Sequence, residues 1–126
     1  ERMREDVRRG LEVLGAFHEA GVPIVAGTDN VVPVFNLYLE IESYHDGAGM
    51  SALDAIRSAT IVPARAMGLD SETGTLEIGK EADIAILDRN PLEDIRNLRT
   101  VSAVMTNGDF YESEPLWRAV DFEPRR

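Results

Sequence analysis

The sequence predicts a mixed α/β chain: helix and buried strand first, then a small β unit. Three observations predict it. A continuous apolar run at 22–26 follows directly on a helical stripe and Gly21. Ser51-Ala52-Leu53-Asp54 has the form of a helix-opening capping box, with Asp in place of Glu. Thr106-Asn107-Gly108-Asp109 carries the Asn-Gly signal of a tight hairpin between two β-prone runs.

The elements follow in order. Met3, Val7, Leu11, Leu14 and Phe17 recur at helical spacing, and Arg4, Glu5, Arg8, Arg9 and Glu12 occupy the other faces. This helix should end near Ala20, with Gly21 as its C-terminal stop. The run at 22–26 is apolar without alternation, so it reads as a strand buried on both faces, the pattern of parallel sheets. A loop with Pro33 should follow, then a helix over 36–47: Phe35, Leu37, Leu39 and Ile41 also alternate as in a strand, but Glu40, Glu42 and Leu37/Ile41/Tyr44 fit the 3.6-residue period. Ser51 opens the next helix, with Leu53, Ile56 and Ala59/Thr60 as its expected inner face. Pro63 suits the first turn of a short helix at 64–67, stopped by Gly68. Beyond Leu69 the character changes. A Gly-bounded segment at 74–80 precedes a strand at 82–88. A polar connection at 91–98 allows a helical turn at 92–95. Strands at 101–105 and from Phe110 flank the hairpin turn, and a terminal helix at 114–120 would pack Trp117 inward.

Composition narrows the function. The 126 residues are 44% hydrophobic and 29% charged, ordinary for a globular chain. With 13 basic and 23 acidic side chains the net charge is −10, which opposes binding to nucleic-acid phosphates or anionic lipid. No nucleic-acid or membrane partner is therefore expected. No apolar stretch approaches the roughly 20 residues of a membrane span. The absence of cysteine fits a reducing cytoplasm, the expected location, and removes thiol chemistry. The chain starts Glu1-Arg2, with its first Met at position 3, and so reads as a piece of a longer protein or a processed product.

Asp29 is the leading candidate for chemistry. It stands where the apolar run ends in Gly27-Thr28, and carboxylates at strand tips of parallel α/β folds are where catalysis and metal binding concentrate. Thr28 and Asn30 flank it and could orient it by hydrogen bonding. Gly27 would let the backbone approach closely. Against this stands a plainer reading, since Asp is a frequent turn or cap residue. His18, near the end of the first helix, reads as a surface or packing residue favoured at a helix C-terminus. His45, near the end of the second helix, reads as solvated, with contact to a substrate the less favoured alternative. Lys80-Glu81 and Asp88-Arg89 read as solvated turn charges. Met50, Met67 and Met105 read as core filler.

The ordered pieces together resemble the C-terminal part of the amidohydrolase superfamily, in its imidazolonepropionase/prolidase-like branch. The carrying text is Gly21-Val22-Pro23-Ile24-Val25-Ala26-Gly27-Thr28-Asp29, then Ala48-Gly49-Met50-Ser51 through Ala59-Thr60. Pro63-Ala64-Arg65-Ala66-Met67-Gly68-Leu69, Gly74-Thr75-Leu76-Glu77-Ile78-Gly79-Lys80-Glu81-Ala82-Asp83 and Asn90-Pro91-Leu92 continue it. The resemblance implies a TIM-like (β/α)8 barrel with a small composite β-sandwich. Residues 1–70 would be the last barrel elements, 71–113 the sandwich portion and 114–126 a tail or helix. It implies a metal-dependent hydrolase of carbon–nitrogen bonds in small amides, cyclic amides or dipeptides. Asp29 would bind the divalent metal, usually zinc, and take the proton of the attacking water.

The other ligands of that family are a His-x-His pair, a Lys or Glu and two further histidines, and neither His18 nor His45 matches them. The activity would belong to an intact parent, and the chain alone should neither turn over substrate nor hold zinc tightly. Val62 also departs from the Asn of many relatives, a change expected to touch capping rather than chemistry. The alternative is a non-catalytic structural or oligomerisation module. An unpaired apolar strand at 22–26 would invite self-association, so a homo-oligomer is expected.

Overall fold

The computed structural model describes residues 2–29 and 35–119. Among the described residues five helices and three strands follow one another: α1 (Arg2–Glu19), α2 (Phe35–Asp46), α3 (Ala52–Arg57), α4 (Ile61–Met67), β1 (Ile84–Leu87), β2 (Val101–Thr106), β3 (Asp109–Glu112) and α5 (Ser113–Ala119), with a 3₁₀ turn at Ile95–Arg99. The architecture is thus mixed helix and sheet.

Local signals set most boundaries. Gly21 ends the first helical segment at φ 80°, a conformation that other residues adopt at a cost. At α3 the Ser51 side chain accepts the Asp54 N–H, and its own hydroxyl donates to the Asp54 carboxylate at 2.6 Å. Gly68 closes α4 in the left-handed region. The α4 helix starts at Ile61, three residues ahead of its expected start, so Pro63 lies inside its first turn, where a missing N–H costs nothing.

The small sheet is an antiparallel meander in the order β1–β2–β3. Ile84 pairs with Met105 and Thr106 with Asp109. Asn107 and Gly108 both have positive φ, as a two-residue type I′ turn requires. Asp83 steadies this corner by accepting hydrogen bonds from the Thr106 hydroxyl and the Asn107 N–H.

The core gathers Ile41, Tyr44, Met50, Ala55 and Ile95, with Leu11, Leu14, Ile24 and Ala26 packed against it. Gly15 and Gly47 permit the close approach of α1 to the end of α2. A Cβ at Gly15 would lie 2.4 Å from the Ala48 carbonyl oxygen, and one at Gly47 would lie 2.5 Å from the Leu11 side chain.

Several expectations are corrected. None of residues 22–29 lies in a strand among the described residues. A strand buried on both faces needs ladder neighbours, and the backbone bond that fixes this segment runs instead from the Ala26 N–H to the Ser58 carbonyl, at 2.8 Å. Burial alternates rather than being continuous: Ile24 and Ala26 are half-buried, whereas Val22 and Val25 face solvent. On α3, Ile56 and Ala59 pack against the core as expected, but Leu53 is 43% exposed and Ala55 is the buried residue in its place. The helical turn in the polar connection falls at Ile95–Arg99, because Asp94 caps it by accepting the Arg96 N–H. Met67 is exposed rather than core. Lys80 is not a solvated turn charge: its ammonium donates to the Asp70 carbonyl and the Thr75 hydroxyl, both at 2.6 Å, and its side chain is largely buried. The loop at 30–34, with Pro33, lies outside the described residues, as does the end of the predicted C-terminal helix at Val120. Trp117 is partly buried on α5. No helix among the described residues is long and apolar enough to cross a membrane.

Candidate functional site

Asp29 is exposed at the end of the 22–29 segment, with φ at 35°. Positive φ is costly for a residue with a Cβ, although Asp tolerates it better than most. Strained backbone of this kind persists only where surrounding contacts hold it. Two consecutive amides supply such contacts just upstream. The Ala26 N–H donates to the Ser58 carbonyl at the end of α3, and the Gly27 N–H donates to Glu40 Oε1 on α2 at 3.1 Å. The segment is therefore tied to two helices immediately before Thr28 and Asp29.

Glu40 belongs to a further pair. The Tyr44 hydroxyl, one helical turn along α2, donates to the same Oε1. Burial pushes the Tyr44 phenol far above the usual tyrosine range, and the bond to Glu40 and its negative charge push in the same direction. Tyr44 thus stays a protonated donor at neutral pH. Glu40 Oε2 is buried and has no hydrogen-bond partner among the described residues. Sequence reasoning assigned Glu40 only to the helical period of α2. The Glu-x-x-x-Tyr spacing was a legible signal for the pair, but the reach to Gly27 is tertiary.

Thr28 and Asn30 were the expected orienting neighbours. Thr28 is exposed, and the bonds that tether the segment come from Ala26 and Gly27 instead. Asn30 lies outside the described residues. Gly27 does not act as a close-approach glycine among the described residues, where a Cβ would meet nothing within 4 Å. His45 is engaged locally, its Nδ1 lying 2.8 Å from the Met50 carbonyl. His18 lies 3.8 Å from the Asp54 carboxylate. Neither histidine is brought to Asp29 by these contacts. Among the described residues no three His, Cys, Asp or Glu side chains converge as a metal-binding group. Asp29 is chemically suited to be one oxygen ligand, and catalytic zinc takes three protein ligands. The described residues therefore fit one ligand position and not a whole site.

A cleft of about 490 Å³ lies by the start of the 22–29 segment, against His18, Val22, Pro23, Asp54 and Arg57, and does not include Asp29. Its size does not make it the centre of the chemistry. Asp54 in its wall has a structural consequence. The Ser51 hydroxyl, then Arg57 and His18, hold the Asp54 carboxyl below its usual range. A carboxyl depressed by folding adds stability above its unfolded pKa of about 3.9, and that stability is lost as pH falls through the lower folded value. Asp54→Asn should therefore flatten the acid limb of stability below about pH 4, modestly because the group is partly exposed and screened. Urea midpoints measured from pH 2 to 6 check this, and parallel curves for the two proteins would contradict it.

The chain resembles known proteins over most of its length. The sequence profile of the Amidohydrolase family matches residues 2–110. Ochratoxinase of Aspergillus niger is 39% identical over 87 residues, covering 68% of this chain and 18% of that protein. Imidazolonepropionase of Thermoplasma acidophilum is 30% identical over 104 residues, covering 75% of this chain and 24% of the relative. The crystal structure of a Xaa-Pro dipeptidase with bound methionine in its active site superposes with a TM-score of 0.72 at 35% identity, over 81% of this chain and 25% of that one. The chain thus spans about a fifth to a quarter of the length of these relatives.

Proposed function

The chain belongs to the amidohydrolase family, and on that premise we propose that it is the C-terminal part of a metal-dependent hydrolase of carbon–nitrogen bonds. In this reading residues 1–70 close a TIM-like barrel, 71–113 contribute to a composite β-sandwich and 114–126 form a tail or helix. The substrate is a small amide, cyclic amide or dipeptide. The names of the imidazolonepropionase and Xaa-Pro dipeptidase relatives support that class.

The observation that carries the proposal is Asp29, held with positive φ at the exposed end of a segment tethered to two helices. Asp29 is assigned as one ligand of a divalent metal, zinc in this reading, and as general base. When bound, such a metal supplies Lewis-acid chemistry that makes water a competent nucleophile near neutral pH. The Asp29 carboxylate would accept the proton of an attacking water and return it to the leaving amine. The remaining ligands would come from outside the described residues, so the isolated chain is expected neither to hold zinc tightly nor to turn over substrate. Asp29→Asn in the full-length protein tests the assignment, and retained hydrolysis would sink it.

The second reading, a structural or self-associating module, is favoured by one observation. Met3 (78% exposed), Val7 and Phe17 (53%) leave much of the apolar stripe of α1 facing solvent, beside exposed Val22 and Val25. Apolar side chains left in solvent in this number favour self-association. The isolated 126-residue chain is expected to sediment as a dimer or larger species, and a clean monomer at micromolar concentration would count against it.

A further inference from the structure

A hydrogen bond ties α2 to the backbone that presents Asp29. A helix residue that only packs would have no reason to direct a carboxylate at a loop amide. Glu40 does so: its Oε1 accepts the Gly27 N–H at 3.1 Å, two residues before Asp29. The Tyr44 hydroxyl donates to that same oxygen and limits the rotation of the carboxylate. Tyr44 is itself in the buried core, so this clamp is anchored on a rigid element. The other carboxylate oxygen is buried without a hydrogen-bond partner among the described residues. Position of the Gly27 peptide is what the two bonds secure.

We infer that Glu40, braced by Tyr44, is a positioning residue for Asp29: it fixes the Gly27 peptide and with it the turn that aims the Asp29 carboxylate. The inference rests on the proposed role of Asp29. Its consequence is specific. Loosening the clamp lets the Asp29 carboxylate wander, and partners that orient a ligating or catalytic group typically matter 10- to 100-fold. The loss should fall on kcat, because Glu40 holds a catalytic group in place and is not itself assigned to bind substrate.

The test uses the full-length, metal-loaded protein with Glu40→Ala, Glu40→Gln, Tyr44→Phe and Asp29→Asn compared in parallel. Glu40→Ala should lower kcat about 10- to 100-fold with KM nearly unchanged. Glu40→Gln should restore most of that activity, because the amide oxygen still accepts the Gly27 N–H. Tyr44→Phe should lower kcat several-fold at constant KM. A second readout is independent of turnover: hydrogen exchange at the Gly27 amide should quicken at least about tenfold in Glu40→Ala and little in Glu40→Gln, as expected when a protecting bond opens. Wild-type kcat in Glu40→Ala, or unchanged Gly27 exchange, overturns the inference. If Glu40→Ala does not fold, Tyr44→Phe decides, and wild-type kcat there overturns it equally. Loss of activity in Asp29→Asn alongside unaffected Glu40 variants would leave the role of Asp29 standing and remove only the clamp. Activity retained in Asp29→Asn would remove the functional reading itself.

Discussion

Asp29→Asn in the full-length protein is expected to lower kcat by at least about 100-fold, the usual range for a positioned general base. Asparagine matches the size of aspartate, and the αL region that φ 35° approaches is one it adopts as readily. The tethers at Ala26 and Gly27 involve only backbone N–H groups of the segment and remain available. The substitution therefore isolates the negative charge and proton-accepting capacity of the side chain. Thermal stability should change little, since Asp29 is exposed. Zinc content by elemental analysis should fall with activity if the carboxylate is a ligand, and should hold if it acts only as base. A variant that keeps both its metal and its kcat would return Asp29 to the rank of a turn residue.

Elements written in short stretches of sequence were legible and the rest were not. Ser51-Ala52-Leu53-Asp54 carries both partners of its capping bond within four residues. Asn107-Gly108 carries both positive-φ positions of its turn. Such signals need no knowledge of the rest of the chain. The run at 22–26 is different. Its apolar content suits a strand, but strand pairing is a property of neighbours, and propensity yields to tertiary context. Here the contacts that fix it come from Ser58, more than thirty residues on, and from Glu40. The candidate site follows the same division. Asp29 could be singled out from its place after Gly27-Thr28, whereas the Glu40–Tyr44 brace needed α2 to be packed beside the segment. Lys80 was misread for the same reason, because its acceptor at Asp70 lies ten residues away across a turn.

Arg99→Ala is expected to cost about 3 kcal/mol of stability, and Glu42→Ala only about 1 kcal/mol, although they break the same contact. Arg99 meets Glu42 with two parallel bonds, Nε to Oε1 at 2.6 Å and Nη2 to Oε2 at 2.7 Å. The partners differ in burial: the Glu42 side chain is 10% exposed and that of Arg99 is 40% exposed. Removing Arg99 strands a carboxylate in a place where water cannot replace the lost bonds. Removing Glu42 frees a guanidinium that rehydrates, and the bond to Glu42 is the leading reason the Arg99 pKa lies above its ordinary value. Arg99→Lys should fall between the two, because a lysine keeps the charge and loses the fork. The pair joins α2 to the 3₁₀ turn, where Ile95 is buried in the core and Arg96 reaches Asp46 at 2.6 Å. Its loss should therefore loosen the junction between the helical part and the β1–β2–β3 sheet more than either part internally. Urea unfolding of the three variants measures the order, and hydrogen exchange at the junction measures where the loosening falls. An Arg99→Ala protein no less stable than Glu42→Ala would show that desolvation of Glu42 does not govern the contact.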